Sequence, residues 1–218
     1  LTTACPAEMM GVELVRGGPE AISVEDLQRD TWALTRAPAG GAAAVLARRL
    51  GEMRVLPAAG RAWIQGSGPA ERICGRKDGR ESEAVLVVAG GGAQSPLSWA
   101  ALISLAKGFD TPTPPPRTLL FCAVGDDAGA AALLAAPPVP VDRLAAVWRI
   151  GGIREGRLVV SRLPGPFQSS AELAEAWTSG APPAGAEPVD PGAVDYRILA
   201  DQLRELVGQI AADPPTQP

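Results

Sequence analysis

Two stretches of this chain carry almost nothing but apolar residues: Ala84 to Ala89 (AVLVVA) and Thr118 to Val124 (TLLFCAV). A strand with one face in water alternates apolar and polar positions, so unbroken runs predict strands covered by helices on both faces. Between them, Ser98 to Phe109 has helical spacing through Leu102, Ile103, Leu105 and Ala106. The stretch Asp110-Thr-Pro-Thr-Pro-Pro-Pro116 then forms a stiff extended connector. Upstream, Ser23-Val-Glu-Asp26 predicts a helix start, with Ser as N-cap and acidic residues in the first turn. Leu27, Thr31 and Leu34 continue it at i, i+4, i+7.

A second helix follows the Gly40-Gly41 break, with Val45, Leu46, Arg49 and Leu50 on one side and Gly51 as its C′ residue. Residues 61–68 and 71–76 read as short strands, and Lys77-Asp78-Gly79 as a turn. Downstream, Gly125-Asp126-Asp127 opens an Ala-rich helix, and residues 144–150 and 156–160 are weaker strands. Residues 181–191 form a Pro/Gly/Ala loop. Residues 194–212 make the strongest helix, with Leu199, Leu203, Leu206 and Ile210 in one stripe. Strands alternating with helices define an α/β domain around a largely parallel sheet.

Length and composition narrow this picture. The 218 residues suit one core, assigned to residues 21–212 with tails at 1–20 and 213–218. A net charge of −4 without a basic cluster argues against nucleic acid as a partner, and no apolar run approaches the roughly 20 residues of a membrane span. The chain contains no histidine. That removes Ser-His-Asp and Cys-His catalysis, every His-containing zinc site, and the usual general base near neutral pH. Three cysteines, Cys5, Cys74 and Cys122, lie far apart. Cys122 reads as a small core residue, and Cys5 and Cys74 are open to pairing in an oxidising compartment. Leu1-Thr-Thr-Ala-Cys5 has the look of the end of a lipoprotein signal, making Cys5 a candidate lipid anchor; an arbitrary start is the bland alternative.

The order of motifs resembles the di-zinc aminopeptidase family of clan MH, whose fold also underlies glutaminyl cyclases, the transferrin receptor ectodomain and nicastrin. The resemblance spans nearly the whole chain. The family's N-terminal helix pair has its counterpart in EDLQRDTWALTRAPAGGAAAVLARRL (25–50), and its first strands in ICGRKDG (73–79) and VLVVAGGG (85–92). Its next loop and helix match QSPLSWAALISLA (94–106), and its strand ending in Glu-Glu matches RTLLFCAVGDDAGAAALL (117–134). AAVWRIGGI (145–153) and EPVDPGAVDYRILADQLRELV (187–207) complete the series. The resemblance implies a three-layer α/β/α sandwich with a mixed, largely parallel central sheet. It also implies that the metal ligands are missing. Gly90 stands at the place of the first His, Gly92 at that of its Asp neighbour, Gln94 near the metal-bridging Asp, and Gly151 at the later Asp. The last His has no counterpart, and only Asp126-Asp127 keeps the character of the Glu-Glu pair.

A pair of zinc ions needs several anionic or imidazole ligands, which one carboxylate pair does not supply. The expectation is therefore a non-catalytic, peptidase-like domain of the transferrin-receptor or nicastrin type, without catalytic residues, metal or cofactor. It would be an exported, periplasmic or surface-attached protein-binding or scaffold module, alone or as a subunit of an envelope-associated assembly, with protein partners of unidentified kind. Two alternatives stand beside it: a hydrolase using a carboxylate-only metal site at Asp126 and Asp127, and a receptor for a sugar or peptide. Asp126-Asp127 has a plainer reading as an acidic helix start. Ser104-Leu-Ala-Lys107 matches S-x-x-K but falls within an amphipathic helix, without the companion motifs. Gly90-Gly91-Gly92 matches no phosphate-loop pattern. Among the five tryptophans, Trp99 and Trp148 fall near the lost metal positions, and they are expected to fill that space.

Overall fold

The computed structural model describes residues 17–38, 40–66, 71–90, 95–179 and 190–212. Helix α1, Val24–Thr35, begins as expected: the Ser23 side chain accepts a hydrogen bond from the Asp26 amide at 3.1 Å, and Leu27, Thr31 and Leu34 are buried. Helix α2, Gly41–Glu52, runs through Gly51 rather than stopping before it. Its C′ position is Arg54, a non-glycine residue at φ 55°. The Arg54 amide donates to Gly51 O and the Val55 amide to Leu50 O, which is the Schellman pattern. The left-handed Arg54 is held by its side chain, which pairs with buried Asp110 at 2.9 Å.

Strands β1 (Leu56–Pro57), β2 (Ile64–Gln65) and β3 (Arg72–Lys77) follow. Of the strand expected over 61–68, residues 67 and 68 lie outside the described residues and only Ile64–Gln65 of the rest form β2; β1 was not expected. Then come β4 (Ala84–Gly90), α3 (Ser95–Gly108), β5 (Thr118–Val124) and α4 (Asp127–Ala135). β6 (Leu144–Arg154) and β7 (Arg157–Pro164) form a hairpin through Glu155 and Gly156, at φ 51° and 75°. Positive φ at both loop residues is the type I′ geometry that matches strand twist. Helix α5, Ser170–Ser179, has no counterpart among the expected elements, and α6, Tyr196–Ala211, buries Leu199, Leu203, Leu206 and Ile210.

The strand order is β1-β3-β5-β4-β6-β7, with β2 also paired to β3. β5, β4 and β6 are mutually parallel at the centre, and antiparallel strands flank them. The result is the mixed α/β sheet expected, with helices on both faces. One face carries Val85, Val87, Ala89, Phe121 and Ile150 beneath α1, α2, α3 and α6. The other carries Leu86, Val88, Leu120 and Val147 beneath α4 and α5. Cys74 and Cys122, directly opposite each other across β3 and β5, form a disulfide. This corrects two expectations: Cys122 is not a free core thiol, and Cys74 is not left for Cys5. The antiparallel register is what brings the two together. Among the described residues no helix is long and apolar enough to cross a membrane.

Candidate functional site

Topology locates the crevice of this sheet. β4 leads through α3, on one face, to β5; β5 leads through α4, on the opposite face, past β4 to β6. The two connections therefore diverge above the carboxyl ends of β4 and β5, where Gly90 lies beside Val124. Such a divergence is where open α/β sheets bind ligands.

Here the end of β4 admits no side chain. Gly90 has φ +117°, and a Cβ placed on it would lie 1.9 Å from the Val124 carbonyl oxygen and 3.2 Å from Trp99 Nε1. No L-side chain fits this backbone, an imidazole included. Trp99, on α3, lies over the same strand ends with 8% of its surface exposed, and its indole N–H donates to the Val124 carbonyl at 3.2 Å. Trp148 is also buried, but it pairs with Val87, three residues inward from Gly90, and belongs to the core rather than the crevice. The space-filling role expected of both tryptophans thus falls to Trp99 at the strand ends.

Asp126 is the N-cap of α4, its carboxylate accepting from the Gly129 amide at 2.9 Å, and Asp127 is exposed in the first turn. This is the plainer of the two readings of the pair. Gly151 differs from Gly90: a Cβ there would make ordinary contacts of 3.4–3.9 Å with Val159, so the backbone would admit a side chain that the sequence does not supply. Gly91, Gly92, Gln94 and Cys5 lie outside the described residues. Among the described residues no three His, Cys, Asp or Glu side chains converge as metal ligands. Ser104 is buried within α3, and Lys107 pairs with Asp26 of α1; the S-x-x-K tetrad is a packing and docking feature.

One side chain at this end of the sheet went unremarked in the sequence. Arg149, on β6 opposite Val88, projects to the α4/α5 face, where its guanidinium stacks 4.4 Å from the Trp177 ring. Its Nε and Nη1 are buried and meet no acceptor. Burial pulls its pKa below the ordinary arginine value, while the Asp127 charge pulls the other way. The available signal was a single charge within the apolar run LAAVWRI (144–150).

No protein-family model matches the chain, and no curated protein matches it by sequence. Solved structures do match it by fold. A Zn-dependent exopeptidase from Parabacteroides distasonis superposes with a TM-score of 0.61 at 10% identity, covering 88% of this chain and 99% of that one. A Bacteroides vulgatus protein assigned as a Zn-dependent exopeptidase gives 0.47 at 12% identity, over 61% of this chain and 60% of its own. The LapA aminopeptidase of Legionella pneumophila gives 0.40 at 13%, over 62% and 43%. The chain thus spans less than two thirds of the last two. The fold is that of the zinc exopeptidases, on the strength of the first.

Proposed function

We propose that this chain is a non-catalytic domain built on the zinc-exopeptidase fold and used as a binding or scaffold module. The observation that carries the reading is the geometry at Gly90. The strand end that resembles the first zinc-ligand position has a backbone that collides with any side chain, and Trp99 fills the space beside it. A carboxylate-only hydrolase would need Asp126 to leave its cap and Asp127 to bind a cation within the field of Arg149. A ligand cleft lined by Trp99 and Trp148 would need both to be accessible, and both are buried. The Cys74–Cys122 disulfide favours an oxidising, extracytoplasmic compartment, where such bonds persist.

Elemental analysis of the protein purified from medium containing zinc and manganese tests the reading, together with aminoacyl and peptide chromogenic substrates assayed with added Mg²⁺, Mn²⁺ or Zn²⁺. Substoichiometric metal and no turnover are expected. Stoichiometric, chelator-resistant metal would overturn the proposal, as would turnover lost in Asp127→Asn.

A further inference from the structure

Arg149 occupies an unusual position for an arginine. It sits midway along β6, one of the three central parallel strands, opposite Val88 and two residues short of the end of β4, and its neighbours on β4 and β6 are apolar. Stacking on Trp177 fixes the plane of the guanidinium but engages none of its five N–H donors. Nε and Nη1 meet no acceptor, and the Asp127 charge acts on the group without an ion pair joining them among the described residues. A cation withdrawn from water is ordinarily paired with hydrogen-bonding counter-charge. Here Arg149 is partly buried, its planar fork is held in place, and among the described residues Asp127 reaches it through its charge alone, with no hydrogen-bonding partner for Nε or Nη1.

We infer that Arg149, backed by Trp177, is a recognition site for a small oxyanion, a carboxylate or phosphate group taken up by the guanidinium fork midway along β6, beside the last residues of β4 and β5. The chemistry is that of a charge-assisted, bidentate pair, for which arginine is suited and lysine is not. The first turn of α4 lies on the same side, where a helix N-terminus favours negative charge. Asp127, exposed on that turn, supplies a competing negative charge that the ligand displaces or outbids. The site does not depend on whether the domain is catalytic; it needs only Arg149 and Trp177.

Isothermal titration of the full chain with inorganic phosphate, and separately with acetate and succinate, tests this at constant ionic strength set with NaCl. Saturable binding is expected in at least one arm, and the arm that binds identifies the oxyanion class. Arg149→Met should weaken it by about tenfold or more, Arg149→Lys should restore it only in part, and Asp127→Asn should tighten it by about threefold. No saturable binding in any arm overturns the proposal, as does equal affinity in wild type and Arg149→Met. Should Arg149→Met fail to fold, the exposed Asp127→Asn variant decides, since an unchanged or weakened affinity there overturns it too.

Discussion

At Gly90 a single hydrogen atom separates two outcomes. With glycine, the chain leaves β4 at φ +117° and brings its α-carbon against the Val124 carbonyl; with any other residue, that carbonyl and a new Cβ would overlap at 1.9 Å. Gly90→Ala is therefore expected to destabilise the fold by about 3 kcal/mol, read from urea unfolding midpoints. A loss below about 1 kcal/mol would mean that the strand end yields easily and accepts a side chain at position 90. Trp99 gives a companion measurement. Trp99→Phe keeps most of the ring but leaves the Val124 carbonyl without the indole N–H. The expected cost is about 1–2 kcal/mol, that of an unpaired buried acceptor.

Among the elements, α4 separates structural from catalytic carboxylates. Asp126 accepts from the Gly129 amide as N-cap, so Asp126→Ala should cost about 1 kcal/mol, and Asp126→Ser should recover most of it because a hydroxyl also caps. A metal-binding carboxylate would not be rescued by serine. Helix α1 docks on α3 through Asp26 and Lys107. Burial pushes the Asp26 carboxyl up, but the hydrogen bond and charge of Lys107, with Arg29 and Ser23 adding to them, hold it below its ordinary 3.8. A depressed folded-state value means the unfolded chain binds the proton more tightly. The stabilisation is thus complete above about pH 4 and lost as pH falls through the lower folded value. The stability gap between wild type and Asp26→Asn should be full above about pH 4 and shrink as the pH falls below it, in acid titrations followed by circular dichroism; a gap unchanged in acid would contradict the assignment.

The elements that could be read in advance were those whose pattern was uninterrupted. β4 and β5 are continuous apolar runs, and α6 has a four-residue stripe, so local sequence sufficed. Helix α5 escaped because it buries only Leu173 and Trp177, too few positions to establish a period. The end of α2 was misplaced because an ion pair at Arg54, rather than a glycine, stabilises the left-handed residue. At the candidate site, the missing ligand types could be read from the residues at 90 and 151. The collision at Gly90, and the stacking of Arg149 on Trp177, arise from strand register and helix placement, which no local window contains.

Across the whole molecule, the disulfide joins the antiparallel flank of the sheet to its parallel centre. Cys74 and Cys122 are 48 residues apart, and the loop between them contains β4 and α3, the strand and helix that carry Gly90 and Trp99. Closing a loop of that length removes unfolded-state entropy worth about 4 kcal/mol. The Cys74→Ala/Cys122→Ala pair should lose about that amount in guanidinium unfolding, with the crevice residues Gly90 and Trp99 unaltered. Both cysteines are fully buried, so reductant should act on the native protein only as fast as it opens. Three cysteines less the two in the bond leave one. Thiol titration of the unfolded chain should therefore find one reactive sulfur before reduction and three after, or none and two if Cys5 carries a lipid. Titration of all three sulfurs before reduction would show that the crosslink is absent in solution. An oxidising compartment would then no longer be favoured over a reducing one, because unpaired Cys74 and Cys122 facing each other across β3 and β5 are equally at home in either.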